Sequence, residues 1–336
     1  MLIHDDCQFH HVQELEPHPN GGLQLQRFPR HTCDRLDAPR GRFISQQCVG
    51  CEVRMVCTGP SVAPTFGAPE QDVTLVVFRG EVELAEYQIP VGTIRTIRCD
   101  TPPSFNYMDP DALSGAFHPD VWRFQVYGVT TWHGVASYGH QLRPPTAEEL
   151  PRRRYLAHGS SITHGSPTTY AMQTARRLGA DIWNYGMSGA CMCEAPMAEY
   201  LGSLEQDFDV ITCELGINMR ASYTPEQFIE RAGRLLDSIA AGHPRTPLGV
   251  ITVFPNSENH RISGDKTLGQ TQAAYDAFLR QWVADNQNRA APTELIEGRD
   301  ILTSITGHRG DMVHPTIWGS IEMGERLAAR LEALLE

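Results

Sequence analysis

Residues 155–165 read YLAHGSSITHG, a short apolar run that ends in a polar turn with two adjacent serines. The stretch that follows, TTYAMQTARRLG at residues 168–179, has the composition and spacing of a helix. A strand, a turn and a helix in this order are typical of one unit of a parallel α/β sheet. A loop can be polar for solvation alone, so the serines indicate chemistry only if the rest of the chain supplies partners for a reactive hydroxyl.

The same alternation of strand and helix continues to the end of the chain. A capping box formed by Thr224 and Gln227, with Pro225 between them, begins a helix that ends at Gly242. A last helix is predicted from about Ile317 to Leu335. The further predicted strands are ADIWNYG at 180–186, FDVITCELG at 208–216, PLGVITVFP at 247–255 and TELIEG at 293–298. This alternation predicts an α/β domain with a parallel sheet covered by helices on both faces.

The first half of the chain has a different period. From about Leu23 to Arg143, short runs alternate apolar and polar residues, without helical windows, and are separated by Gly, Pro, Asp and Asn. These runs are CEVRMVC at 51–57, DVTLVVFRG at 72–80, EVELAEYQIP at 81–90, TIRTIRCD at 93–100 and VWRFQVYGVTTWHGV at 121–135. A stretch rich in proline and charge at 141–152 breaks the pattern. We therefore predict an all-β sandwich domain over residues 1–147 and the α/β domain over residues 148–336.

Charge excludes one class of partner. The formal net charge is −12, whereas non-specific nucleic-acid binding depends on clustered Lys and Arg side chains that release counterions. The one basic cluster, Arg152–Arg154, is interpreted as a solvated entry to the next strand. We predict no nucleic-acid partner.

The N-terminus and the cysteines indicate a location. The opening MLIHDDCQFHHVQELE has acids and histidines where a secretory signal has an apolar core. No window approaches the roughly 20 apolar residues that span a bilayer. The nine cysteines are odd in number and scattered, which favours a reducing compartment over a disulfide framework. A cytoplasmic protein without a membrane partner is the prediction, and a homo-oligomer is compatible with the sequence.

Two features invite a metal interpretation. Cys48 and Cys51 have the spacing of a zinc knuckle or a redox pair, but a zinc site needs a second ligand pair at matching spacing. Free or buried thiols are therefore the preferred interpretation, and structural zinc is the alternative. His158 and His164 flank the serine turn, but hydrogen-bonded loop histidines are commoner than ligands. We predict no metal and no cofactor.

Four polar motifs of the second half fall just beyond predicted strands or before the last helix. They are HGSSITHG at 158–165, NYGMSGA at 184–190, ELGINM at 214–219 and DMVHPTIWG at 311–319. In parallel sheets, ligands bind beyond the carboxyl ends of the strands, where the strand order reverses. The four motifs are therefore expected to meet in one site.

These motifs contain the residue types of nucleophilic catalysis. A serine hydroxyl is a poor nucleophile until a base takes its proton, and that base is a histidine oriented by a carboxylate. Ser161 can supply the hydroxyl, and Asp311 and His314 can supply the orienting acid and the base. The reaction also develops negative charge on a carbonyl oxygen. The N–H groups of Ser161 and Gly189 and the side-chain amide of Asn218 can form an oxyanion hole.

At these motifs the chain resembles the SGNH, or GDSL-type, hydrolase superfamily, in order and spacing across about residues 153–336. The resemblance implies a flavodoxin-like sheet and a catalytic set in which Ser161 is the nucleophile, His314 the base and Asp311 the acid. It also implies that Gly189 and Asn218 are oxyanion donors.

The chain departs from the family pattern at two positions. Gly159-Ser160-Ser161 replaces the usual Gly-Asp-Ser, and Gly216-Ile217-Asn218-Met219 lacks the aspartate that often follows the asparagine. Both lost carboxylates are accessory, so the departures concern the positioning of the loops. Ser160 as the nucleophile remains the alternative.

The predicted function is a serine ester hydrolase that works through an acyl-enzyme. A small acyl group such as acetyl on a sugar or small-molecule ester is the expected substrate, because no long apolar lid for lipid is visible and the resemblance includes carbohydrate esterases with an N-terminal β-sandwich. The alternative is an acyltransferase that uses a small-molecule alcohol. A binding protein with a decayed site is disfavoured, because no member of the catalytic set is missing. Phe124, Tyr127, Trp132 and Tyr138 are interpreted as core aromatics, with a sugar-binding edge as the alternative.

Overall fold

The computed structural model describes residues 2–335, which form two compact units. The first unit consists of the chain up to Cys33 and of Ser45–Arg152. The second consists of Asp34–Ile44 and of the chain from Arg153 onward. None of the helices within residues 2–335 combines the length and apolar character that a membrane crossing requires.

The first unit is built from antiparallel strands in two sheets. The strands are β1 (Leu2–His4), β2 (Cys7–His10), β3 (Glu14–Pro17), β4 (Leu23–Gln26), β5 (Cys48–Cys57), β6 (Ser61–Ala68), β7 (Val73–Arg79), β8 (Val82–Ile89), β9 (Thr93–Thr96), β10 (Cys99–Asp100), β11 (Val121–Gly128), β12 (Thr131–Ala136) and β13 (Leu142–Arg143). One sheet has the order β1-β2-β5-β11-β7-β8, with β13 beside β5. The other has the order β10-β6-β12-β4-β3, with β9 beside β6. The prediction of an all-β region ahead of the α/β domain is confirmed.

The two sheets share one apolar core. Trp132 of β12 packs edge-on against Phe9 of β2, with ring centroids 5.7 Å apart, and against Phe66 of β6 at 5.2 Å. Phe66 also lies 6.2 Å from Phe124 of β11. Phe124 and Trp132 therefore belong to the core, as the preferred interpretation has it, whereas Tyr138 is exposed.

The polar face of β5 is buried, which the alternating pattern does not predict. Glu52 and Arg54 are 2% and 1% exposed. The carboxylate of Glu52 accepts hydrogen bonds from Arg54 Nε at 2.7 Å and from Arg123 Nε and Nη2 at 3.0 and 2.7 Å. Phe117 covers both cations, with its ring 4.9 Å from the Arg54 guanidinium and 3.6 Å from that of Arg123. The charges are buried because they are paired with one another and covered by an aromatic ring.

Short helices lie between the strands of the first half, where the sequence predicted none. They are α1 (Arg30–Asp34), α2 (Pro39–Ser45) and α3 (Pro110–Leu113), together with 3₁₀ turns at Pro103–Asn106 and Ala147–Glu149. Helices this short lack a periodic apolar stripe, so hydrophobic patterning cannot detect them. Most of α2 falls within Asp34–Ile44, the segment that belongs to the second unit.

The second unit is a five-stranded parallel sheet with helices. Its strands are β14 (Arg153–Gly159), β15 (Ala180–Gly186), β16 (Val210–Glu214), β17 (Leu248–Ile251) and β18 (Thr293–Ile296), and their order is β15-β14-β16-β17-β18. The helices are α4 (Ser161–His164), α5 (Tyr170–Leu178), α6 (Ala195–Gly202), α7 (Pro225–Gly242), α8 (Thr267–Asp285), α9 (Gly298–Ile301) and α10 (Ile317–Leu335), and 3₁₀ turns lie at Ser257–His260 and Ile305–Gly307. This strand order is that of the flavodoxin-like fold, so the predicted fold class is confirmed.

The helices form two layers that place the site. α5 packs on α10, where Thr174 Oγ1 donates to the carbonyl of Gly324 at 3.3 Å. α6 packs on α7, where Ser238 Oγ donates to the carbonyl of Ala198 at 2.8 Å. The chain leaves β14 for β15 on one side and later returns to β16 on the other side of β14. The strand order therefore reverses at β14, and the loop that begins at Ser160 lies at the switch point.

Candidate active site

The turn after β14 separates the two serines by role. Ser160 is the N-cap of α4, and its Oγ accepts a hydrogen bond from the Ile162 N–H at 3.2 Å. Ser160 is buried, whereas Ser161 is half-buried. The Oγ of Ser161 lies 2.7 Å from Nε2 of His314. The structure thus brings Ser161 and His314 together and leaves the Ser160 hydroxyl in the cap.

His314 lies between Ser161 and Asp311. Its Nδ1 is 2.8 Å from Oδ2 of Asp311. The other carboxylate oxygen, Oδ1, accepts from the N–H groups of Val313 and His314, both at 2.9 Å. An ionised carboxylate only accepts hydrogen bonds, so Nδ1 carries the imidazole proton and Nε2 is the acceptor for the serine hydroxyl.

The local fold keeps Asp311 ionised. Burial, the largest single effect, acts to raise the pKa of Asp311, but the N–H groups of His314 and Val313 and the His314 ring outweigh it and lower the pKa to about 2. The loop that carries both residues is closed by the Arg309 N–H, which donates to the carbonyl of His314 at 2.7 Å. Met312 at its tip has a φ of +57°.

Asn218 follows β16, and its amide orientation is fixed by a neighbour. Oδ1 of Asn218 accepts a hydrogen bond from the N–H of Cys191 at 3.2 Å. Because the oxygen is engaged, the Nδ2 group points away from Cys191 and keeps its two donors for another acceptor. The sequence predicted this residue as an oxyanion donor, and that role stays a prediction.

Gly189 lies in the loop after β15, which is tied to the serine turn. The N–H of Met187 donates to the carbonyl of Gly159 at 2.8 Å, and Arg231 Nη1 donates to the carbonyl of Met192 at 3.3 Å. Gly189 has a φ of +62°, in the left-handed region that favours glycine. A methyl group on its Cα would also lie 2.7 Å from Nε of Arg40. The backbone conformation therefore favours glycine here, and the guanidinium of Arg40 lies close to its Cα.

Glu214 is a site residue that sequence reasoning did not single out. It ends β16 and is fully buried, and its Oε2 accepts from the Ser160 N–H at 2.7 Å and from Thr163 Oγ1 at 3.2 Å. Burial raises the pKa of Glu214 to about 7, and its hydrogen bonds only partly oppose the shift. Glu214 stands at the start of the ELGINM motif, so an acid at the end of a buried strand was the available signal.

The two histidines of the serine turn have structural neighbours. His158 is buried, with Nδ1 2.9 Å from the carbonyl of Tyr185 and Nε2 3.6 Å from Sγ of Cys191. His164 is buried as well, and Cys48 and Cys51 are free, buried thiols. Within residues 2–335, no group of three or more His, Cys, Asp or Glu side chains is arranged to hold a metal ion. The zinc alternatives therefore find no ligand set in that range.

Comparison with known proteins gives matches at the level of family and of fold. A model of the GDSL-like lipase/acylhydrolase family matches residues 157–320, which contain all five predicted site residues. A search of curated proteins by sequence finds no match.

Several solved structures share the fold over almost the whole chain. The salicylyl-acyltransferase SsfX3 from a tetracycline biosynthetic pathway has a TM-score of 0.79 at 14% identity and covers 98% of this chain and 95% of its own. An active site mutant of a family two carbohydrate esterase from Clostridium thermocellum has a TM-score of 0.67 at 14% identity and covers 98% of both chains. A family two carbohydrate esterase from Cellvibrio japonicus has a TM-score of 0.63 at 13% identity, covering 99% of this chain and 96% of its own.

The predicted resemblance to the SGNH or GDSL-type hydrolases is confirmed by these matches. Low sequence identity restricts the structural likeness to the fold, whereas the family match covers the four polar motifs. Residues 157–320 therefore form a domain of the GDSL-like lipase/acylhydrolase family.

Proposed function

We propose that the protein is a serine ester hydrolase that works through an acyl-enzyme. The observation that carries the proposal is the chain of contacts from Ser161 Oγ to His314 Nε2 at 2.7 Å and from His314 Nδ1 to Asp311 at 2.8 Å. A hydroxyl in contact with a neutral imidazole that is held by a carboxylate is the arrangement that activates serine. Ser161, His314 and Asp311 are the proposed nucleophile, base and orienting acid.

In the first half-reaction, Ser161 Oγ forms a bond to the carbonyl carbon of the ester as its proton passes to Nε2 of His314. Asp311 stabilises the imidazolium that results. When the tetrahedral intermediate collapses, the bond from the carbonyl carbon to the alcohol oxygen breaks and His314 returns the proton to the leaving alcohol. The acyl group then remains on Ser161.

In the second half-reaction, water attacks the acyl carbon while His314 takes a proton from it. The bond to Ser161 Oγ breaks, the proton returns to that oxygen, and the free acid leaves. The side chains of His314 and Asp311 are 40% and 50% exposed, so water can reach the imidazole that would activate it. This exposure favours hydrolysis as the fate of the acyl-enzyme.

The developing oxyanion would be stabilised by the N–H groups of Ser161 and Gly189 and by Nδ2 of Asn218. Asn218 is supported by the hydrogen bond from Cys191 to its oxygen, which orients the amide before substrate arrives. Donors that are oriented in advance stabilise charge in the transition state without reorganisation.

A small acyl group, such as acetyl, on a sugar or another small alcohol is the proposed substrate. The support is the shared fold of structures named as family two carbohydrate esterases, over 98% and 99% of this chain. Acyl transfer to a small-molecule alcohol is the second candidate, because a structure named as a salicylyl-acyltransferase has the same fold at a TM-score of 0.79. Both reactions use the same acyl-enzyme and differ only in the acceptor.

Within residues 1–147, the segment Asp34–Ile44 is proposed to contribute to the substrate site of the catalytic part, residues 148–336. The support is that Asp34–Ile44, from the first part of the chain, belongs to the same compact unit as the catalytic residues. The further inference below develops the role of this segment.

A fluorophosphonate probe tests the proposal directly. Labelling of Ser161, located by peptide mass spectrometry, is expected in the native protein and absent in His314→Ala. A panel of acetylated sugars and short 4-nitrophenyl esters then identifies the substrate. A partition measurement with graded alcohols separates the two candidates: transfer exceeding hydrolysis at millimolar acceptor would favour the acyltransferase, and no labelling would contradict both.

A further inference from the structure

The segment Asp34–Ile44 is anchored to the second unit by its polar groups. The N–H of Asp37 donates to Oε2 of Glu194 at 2.6 Å. The guanidinium of Arg35 pairs with Glu199 at 2.8 Å, and the carboxylate of Asp37 lies 3.8 Å from Arg231. Leu36, which lies between Arg35 and Asp37 in the sequence, is buried. The segment is thus fixed on α6 and α7, beside the loop that carries Gly189.

Arg40, on α2, lies against the predicted oxyanion loop. A methyl group on the Cα of Gly189 would be 2.7 Å from Nε of Arg40 and 2.8 Å from its Nη2. The side of the guanidinium that carries Nε and Nη2 is the fork that binds carboxylates through two parallel hydrogen bonds. This edge of Arg40 therefore faces Gly189, the residue whose N–H is proposed to meet the scissile carbonyl. The exposed guanidinium must turn away from the Cα of Gly189 before this fork can bind a carboxylate there.

Arg40 differs from the charged residues around it. Arg42 donates to the carbonyl of Asp37 at 3.1 Å, and Arg35 and Asp37 have the ion pairs described above. Arg40 is exposed, and within residues 2–335 it has no ion pair and no hydrogen bond. Arg40 is therefore a solvent-exposed cation without an acid beside the candidate active site, in a chain whose net charge is −12.

We propose that Arg40 is a specificity residue that binds a carboxylate of the substrate beside the scissile ester. The inference rests on the proposed function and names its substrate class: an ester that carries an anionic group, either on the acyl side or on the alcohol, as in an acetylated sugar acid. Arginine suits this role because its planar fork recognises a carboxylate in one orientation, which a lysine cannot do. The binding energy would position the ester against Gly189 and Ser161.

The test compares matched anionic and neutral esters with the full-length protein. On the acyl side, mono-4-nitrophenyl succinate carries a carboxylate and 4-nitrophenyl butyrate does not. On the alcohol side, acetylated glucuronic acid carries a carboxylate and acetylated glucose does not. Arg40→Gln is expected to lower kcat/KM at least about tenfold for one anionic ester and less than about twofold for both neutral ones. Arg40→Lys should recover part of the loss, and the preference should weaken with added salt.

The matched control is Arg176→Gln. Arg176 is exposed near the end of α5, at the edge of the sheet opposite the carboxyl ends of the strands, so it changes the net charge equally at a distance from the site. Arg176→Gln should leave kcat/KM unchanged for all four esters. Equal losses in Arg40→Gln on neutral and anionic esters would assign Arg40 to general oxyanion stabilisation and overturn the proposal, as would no loss on either anionic ester.

A binding measurement keeps this inference separate from the proposed function. If the fluorophosphonate probe does not label Ser161 in the native protein, the esterase proposal fails, and titration calorimetry with succinate and glucuronate decides about Arg40. In the Ser161→Ala background, Arg40→Gln is expected to weaken the binding of one of these anions about tenfold. Equal binding with and without Arg40 would overturn the proposal.

Discussion

The backbone N–H of Ser160 donates a hydrogen bond to the side-chain carboxyl of Glu214 over 2.7 Å, so the end of β16 supports the serine turn after β14. A methyl group on Gly159 would lie 2.7 Å from the same carboxyl oxygen, which leaves no space for another side chain in the turn. The family pattern has an aspartate where this chain has Ser160. A carboxyl group from the neighbouring strand is thus in contact with the turn that lacks its usual acid.

Glu214 makes stability depend on pH. Its pKa is about 7 in the folded protein, because burial disfavours the charged form, against about 4.3 for an unperturbed glutamate. The folded state therefore binds more protons than the unfolded state between these values, and stability falls as the pH rises through this window. This difference in pKa lowers the free energy of unfolding above pH 7 by on the order of 3 kcal/mol, relative to its value at low pH.

We predict that Glu214→Gln flattens this dependence. The amide oxygen can still accept from Ser160, but it carries no charge whose burial is unfavourable. The variant should be more stable than the native protein at pH 8.5, by about 1–3 kcal/mol, and similar to it at pH 4.5. Urea unfolding at several pH values measures the free energy of unfolding of the native protein and of the variant. An unchanged slope between pH 4.5 and 8 would show that Glu214 is ionised in the folded protein.

We predict that the two serines differ in their effect on turnover. Ser161→Ala should lower kcat by about 10⁴-fold or more, because members of one nucleophilic unit act together. Ser160→Ala should retain most activity and lose about 1 kcal/mol of stability, because its hydroxyl caps α4. Initial rates and urea unfolding of both variants check this. If Ser160→Ala is inactive and Ser161→Ala is active, the assignment of the nucleophile is reversed.

We predict that Asp311→Asn lowers kcat by about 10³–10⁴-fold, because an amide oriented toward Nδ1 cannot hold the imidazole in the required tautomer. The pKa of Asp311 is about 2, so its carboxylate remains ionised across the working range. A loss of activity on the acid side above about pH 4 must therefore come from a group other than Asp311. An acid limb that disappears in Asp311→Asn while kcat is maintained would contradict this assignment.

We predict that Asn218→Ala lowers kcat by about 10²–10³-fold with little change in KM, because its Nδ2 donors would meet charge that develops only in the transition state. Asn218→Asp is the sharper variant: it keeps the acceptor for the Cys191 N–H and replaces the donors with negative charge. It should be at least as inactive as the alanine variant. A raised KM with unaltered kcat would move Asn218 to ordinary substrate binding.

Sequence was sufficient where local patterns determine topology. The alternation of strands and helices after residue 153 leaves few arrangements other than a parallel sheet, and such a sheet brings the ends of β14, β15 and β16 together. Ser161, Asn218 and Gly189 could therefore be placed near one another from their positions after strands. The capping box at Thr224 likewise determined where α7 begins, since its contacts are local.

Sequence was insufficient where contacts join distant parts of the chain. Nothing in residues 34–44 indicates that Arg40 lies against Gly189, because the helix is too short for periodicity and the contact spans about 150 residues of chain. The burial of Glu52 was missed for a related reason. Its strand alternates like one with a solvated face, and only the fold brings Arg123 and Phe117 over that face.

The Glu52 cluster gives the last prediction, which concerns stability alone. Burial opposes the charged form of Glu52, but Arg123 and Arg54 outweigh it and hold its pKa well below the usual range. The stabilisation from the carboxylate is therefore present above the unfolded pKa of about 4.3 and is lost as the pH falls below it. Glu52→Gln leaves two buried guanidinium groups without a counter-charge and should lower the free energy of unfolding by about 3–5 kcal/mol at pH 7. The difference from the native protein should shrink as the pH falls toward 3.

Glu83→Gln, an exposed position on β8, is the matched control and should change stability by less than about 0.5 kcal/mol. Urea unfolding of both variants makes the comparison, and equal stability of Glu52→Gln and Glu83→Gln would mean that water or rearrangement compensates the arginines.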